Sequence, residues 1–123
     1  MNAPAFHVIP SPRADALSFV EARAQGGFDY WCVENTGDYS ADCEKGRALG
    51  EEYLAFIGQY PTNGNATLLQ SIVDSMIARR REPSTSWGRY TTGIEIGFLS
   101  AVNGYALAMA RLLTDSHTPL PAA

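Results

Sequence analysis

A chain of 123 residues with 46% hydrophobic and 18% charged residues has the composition of one folded domain, too apolar for wholesale disorder and long enough to bury a core. Thirteen acids against nine bases, a net charge of −4, argue against a general nucleic-acid binder, whose affinity comes largely from basic contacts to phosphate. Two cysteines without a CxxC pair, Cys32 and Cys43, and two histidines, His7 and His117, lack structural zinc spacing and are too few for a disulfide scaffold.

Residues 1–10 read as an extended, proline-punctuated arm, and Met1–Pro12 has no basic region followed by an apolar run, so no signal peptide is expected. Ser11-Pro12 predicts a helix start, because Ser caps free N–H groups and Pro suits the first helical position. A first helix is expected over 12–25, with Ala14, Leu17, Val20 and Ala24 facing inward, Phe19 beside them, and Gly26-Gly27 as its stop. Phe28–Val33 is rich in strand formers. It is read either as a short strand paired with Phe6–Ile9 or, preferred here, as an aromatic loop pinned to the core.

A second helix is expected over 41–58, capped by Asp38 or Ser40, with Asp42 and Glu44 in the first turn where the dipole favours acids. Gly46 and Gly50 lie four apart on one face. Glycine inside a helix costs about 1 kcal/mol relative to Ala, so another helix approaching closely is the expected compensation. Pro61–Gly64 is a turn, and Asn65 caps a third helix over 66–81. Leu68, Leu69, Ile72, Val73, Met76 and Ile77 form its stripe. Thr92-Gly93-Ile94-Glu95 fits a capping box and opens a fourth helix over 92–114. That helix is apolar nearly all round, so it is placed at the centre of the core, with Leu99 buried and Leu99→Ala expected to cost about 2–5 kcal/mol. Its length would span a bilayer, but Glu95, Asn103 and Arg111 disfavour that. Residues 115–123 read as a loose tail.

The fold class expected is therefore mainly α: a compact four-helix domain over 1–123 with an optional short β element in the N-terminal half. A helix apolar on nearly every side needs cover on every side. A homodimer supplies it most simply, with Gly97, Ala101, Gly104 and Ala108 and the Gly46/Gly50 face as close contacts.

Acids concentrate in residues 29–52, where seven stand against Lys45 and Arg47. Asp29, Glu34, Asp38, Asp42 and Glu44, with Tyr30, Trp31 and Tyr39 as anchors, form the candidate surface for a basic protein partner. The bland alternative is a solvated acidic face with Trp31 as a core plug. Reversing Asp38 and Asp42 to lysine is expected to abolish partner capture without lowering the melting temperature. A secondary basic patch gathers Arg79, Arg80, Arg81, Trp87 and Arg89 with Tyr90. Charge and stacking of this kind grip nucleic acid, but a helix C-terminus explains the arginines locally.

Other chemistry has little support. Asp38, Ser40, Asp42 and Glu44 alternate without the glycine and terminal Glu of an EF-hand loop. Gly58–Gly64 lacks the Lys-Ser or Lys-Thr of a P-loop. Asn65-Ala66-Thr67 matches a glycosylation sequon, irrelevant to a cytoplasmic chain. No motif surrounds either cysteine to make it a nucleophile. The function expected is a small acidic, non-enzymatic protein-interaction module, homodimeric and cytoplasmic, with no cofactor, no metal, no membrane and no direct nucleic-acid contact. One alternative is an anti-defence-like inhibitor covering the basic DNA or RNA groove of a nucleic-acid-handling complex. Another is an enzyme using buried carboxylates such as Glu51 with Glu95.

Overall fold

The computed structural model describes residues 12–61, 66–80 and 92–116. These form a short 3-10 turn at Ala14–Ala16, strands β1 (Glu21–Ala22) and β2 (Phe28–Asp29), and helices α1 (Tyr39–Gln59), α2 (Ala66–Arg80) and α3 (Gly93–Ser116). The described chain is mainly helical, with three helices rather than four. The N-terminal arm, Ser11, Asn65, the loop 83–91 and the tail from His117 lie outside the described residues.

The missing helix is the one expected over 12–25. After the 3-10 turn the chain extends, and β1 pairs antiparallel with β2, Glu21 opposite Asp29 and Ala22 opposite Phe28. Gly26 and Gly27 have φ of 99° and 77°, which suits glycine and makes them the hairpin turn rather than a helix stop. Leu17, Phe19 and Val20 are all buried. Positions 17 and 19 point to opposite sides of a helix, so burying both requires a non-helical backbone. A lone 14-residue helix is marginal in water, and packing overrides its propensity. The β element is thus real, but Phe28 pairs within its own hairpin. Of Phe28–Val33, read above as a loop, Phe28–Asp29 is strand and only 30–33 is irregular, continuing to Thr36.

Phe98 on α3 is the hub of the core. Its ring meets Trp31 edge-on at 5.2 Å and Phe19 at 5.6 Å, and it lies tilted against Tyr53 at 5.7 Å. Phe19 and Trp31 close the triangle at 5.4 Å. Edge-to-face rings at these separations add to the burial itself. α2 contributes Leu68, Ile72 and Met76 from one stripe, while Ile77 at its edge is exposed.

α1 and α3 pack side by side and run parallel. Gly93 lies against Tyr39 and Asp42, Gly46 against Ile94, and Gly50 against Phe98 and Ala101. The helices meet glycine to backbone: a Cβ on Gly46 would strike the Ile94 carbonyl, and one on Gly97 the Cys43 carbonyl. The close approach expected at Gly46 and Gly50 exists, but its partner is α3 of the same chain. Those glycines, with Gly97 and Ala101, are therefore not the contacts between copies. Among the described residues nothing lies within 4 Å of a Cβ at Gly104.

Candidate functional site

The acidic-aromatic segment comes apart when its residues are placed. Trp31 is 3% exposed and sits in the core, so it is a plug and not a partner anchor. Tyr30 is half-buried, its ring 5.9 Å from Phe28, and its N–H donates to Ser75 Oγ at 3.3 Å. Asp29 is half-buried and its Oδ1 accepts from Trp31 N at 3.4 Å. Only Glu34, Asp38, Tyr39 and Glu44 remain exposed.

Asp42 is the chief correction. It is 3% exposed and holds the loop before α1. Thr36 Oγ1 donates to it at 2.7 Å, Thr36 N at 3.0 Å and Gly37 N at 3.3 Å. Beside it Asp38 caps α1, accepting from Ala41 N at 3.2 Å. Burial opposes ionisation of Asp42, but the Thr36 and Gly37 hydrogen bonds and the Lys45 charge outweigh it and hold the carboxyl below its usual range. The charge reversal at Asp42 therefore breaks a folding element and reports nothing clean about binding.

A pH dependence follows from that direction. A depressed folded pKa contributes stability above the unfolded value, about 3.9, and loses it as pH falls through the folded value. Asp42→Asn is expected to cost about 1–2 kcal/mol at neutral pH. The gap to the parent chain should close as urea melts are taken from about pH 5 down to about pH 2.

The capping box at α3 is formed: Thr92 N donates to Glu95 Oε1 at 3.2 Å, and Glu95 N to Thr92 Oγ1 at 3.3 Å. Glu95 is 2% exposed, whereas Glu51 faces solvent on α1. As an acid–base pair, then, Glu51 and Glu95 occupy opposite environments, and Glu95 is engaged at its own cap. The two buried carboxylates, Asp42 and Glu95, stand at the N-terminal ends of parallel helices, where the dipoles favour negative charge.

Burial pushes the Cys32 thiol up to about 12, with the Asp29 and Glu21 carboxylates adding to it. A thiol so protonated is a poor nucleophile. Both cysteines are free. Among the described residues no group of three or more His, Cys, Asp or Glu is placed to hold a metal. In the basic patch, Arg79 lies 3.8 Å from Glu34 and Arg80 ends α2. Arg81, Trp87 and Arg89 lie outside the described residues, as do His7 and His117.

Two further features lie outside the acidic and basic segments. Glu52 of α1 receives Ser18 N at 2.7 Å and Ser18 Oγ at 2.5 Å, tying the N-terminal segment to the helix. The other is the C-terminal half of α3. Every residue from Asn103 to Asp115 is exposed. Tyr105, Leu107, Met109, Leu112 and Leu113 are each 40–59% exposed, and Leu99 is 37% exposed. The fourth predicted helix is thus central to the core only in its first ten residues. At 3.6 residues per turn, Ile94, Phe98, Ala101, Tyr105, Ala108 and Leu112 fall on one stripe. The first three pack against the domain and the last three continue the stripe into solvent. By length and composition Gly93–Asp115 is also a candidate membrane span. No family model matches the chain, and neither does any curated protein or solved structure.

Proposed function

We propose that this chain is a non-enzymatic protein-interaction module whose docking face is the C-terminal half of α3. The observation that carries this reading is the run of exposed large apolar side chains on a well-formed helix. Soluble chains rarely leave so contiguous an apolar patch uncovered, and such patches mark interaction sites. The face is rigid because the same helix is anchored in the core through Ile94 and Phe98, so little ordering entropy is lost on docking.

The acidic surface is kept as a second face for a basic partner, reduced to Glu34, Asp38, Tyr39 and Glu44. Tyr39, 62% exposed, offers a large contact area beside those charges. A basic groove of a nucleic-acid-handling complex fits the same chemistry, which keeps the inhibitor reading alive. The two faces separate by substitution. In cross-linked co-purification from the native host, Leu113→Arg should lose partners that dock on α3. Glu34→Lys with Glu44→Lys should lose only a basic partner, mainly by slowing association. Partner sets unchanged in both variants would refute the interaction reading.

A further inference from the structure

Resting on the reading of α3 as the docking face, we infer that its occupant is a second copy of this chain. The two C-terminal halves of α3 cross antiparallel about a two-fold axis near Ala108 and Met109. The stripe Phe98, Ala101, Tyr105, Ala108 and Leu112 alternates steps of three and four, the spacing that lets helices interdigitate along a seam. α1 fills the seam as far as Ala101. Beyond that level the described residues offer no cover, and the seam continues for three more turns.

An antiparallel two-fold sets Tyr105 against the partner's Leu112 and brings the small Ala108 to the crossing point. Ala108 meets the partner's Met109, small against large, and the face is its own complement, as an isologous interface demands. The only charges from Asn103 to Asp115 are Arg111 and Asp115. Arg111 falls beside the seam, and Asp115, three residues beyond Leu112, sits at its outer end, where the two-fold sets it against the partner's Val102 and not the partner's Asp115. No like charges are buried together, although each copy is net acidic.

The area is sufficient. On the scale of a large aromatic, roughly 150–250 Å² per side chain, the observed exposures of Tyr105, Met109, Leu112 and Leu113, with the intervening alanines, leave about 500 Å² per copy and about 1,000 Å² per pair, the area that a specific interface has to clear. A bilayer fits the same face less well. The exposed part of α3 is only about 20 Å long at 1.5 Å per residue, against a hydrocarbon core of about 30 Å. It also carries Arg111, and the anchored half is packed inside the domain.

The test uses the purified full chain alone, by sedimentation equilibrium from about 1 to about 100 µM, with neutral phosphatidylcholine vesicles as a separate arm. The expected result is twice the 13.3 kDa chain mass. Leu112→Arg and, independently, Met109→Arg should each weaken the dimer about 30-fold or more. Both positions are exposed, so near-UV circular dichroism from Trp31 should stay unchanged and exclude misfolding. A parent chain that is monomeric throughout overturns the inference. So does a dimer that survives both substitutions, or a monomer that floats with vesicles. A monomer whose co-purified partner is lost in Leu113→Arg overturns the second copy while leaving the interaction reading intact.

Discussion

Gly46→Ala is expected to lower stability by about 3 kcal/mol, the upper end for forcing atoms into a packed interior. The added methyl would overlap the backbone carbonyl of Ile94, and a backbone atom cannot rotate aside as a side chain can. α1 and α3 must move apart, which loosens Phe98 from Tyr53 and Trp31. Helix propensity works the other way, since Ala is favoured over Gly by about 1 kcal/mol in a helix interior, so the net loss measures the close approach. Gly97→Ala meets the Cys43 carbonyl in the same manner and should be comparably destabilising. Gly104→Ala is the control. Nothing lies near its Cβ position, and about 0.5–1 kcal/mol of stabilisation is expected from propensity alone. Urea denaturation of the three variants gives the comparison directly. Equal effects at Gly46 and Gly104 would mean that α1 and α3 do not touch as described.

What was legible in the sequence was local chemistry with one outcome. Thr92 and Glu95 form their capping box because both partners lie within one turn. Gly46 and Gly50 signalled close approach because nothing else offsets two interior glycines. Leu68, Ile72 and Met76 repeat at a spacing that only a helix brings to one side. Segment 12–25 failed for the opposite reason. Its helical propensity was real, but Leu17, Phe19 and Val20 all had to reach the same core, a demand set by residues far away in sequence. Asp42 failed similarly: a carboxylate early in a helix looks alike whether it faces solvent or gathers the N–H groups of a preceding turn. The apolarity of α3 was plain in the sequence, but apolarity does not say which chain covers it. The structure divides that helix just past Ala101, which meets Gly50 of α1, and every residue from Asn103 to Asp115 is exposed.

That division sets the sharpest contrast in expected stability, between neighbours on one helix. Phe98→Ala should cost about 3–5 kcal/mol, as full removal of a buried aromatic does. Phe98 is 0% exposed and touches the rings of Phe19, Trp31 and Tyr53, three aromatics supplied by the N-terminal segment, the loop and α1. Deleting it opens a cavity among three rings, and rigid rings collapse poorly into such a space. Leu99, one residue on, lies about 100° further round the helix and is 37% exposed. Leu99→Ala should cost the folded monomer about 1 kcal/mol or less, because little surface is taken from water there. Leu99 also lies off the α3–α3 seam, so its effect should not depend on protein concentration. Thermal melts of both variants at about 1 and about 100 µM read the two effects together. Phe98→Ala should be low-melting at either concentration. Leu99→Ala should stay close to the parent chain at both. A Leu99→Ala melt as low as that of Phe98→Ala at both concentrations would put Leu99 in the monomer core and remove the boundary at Ala101.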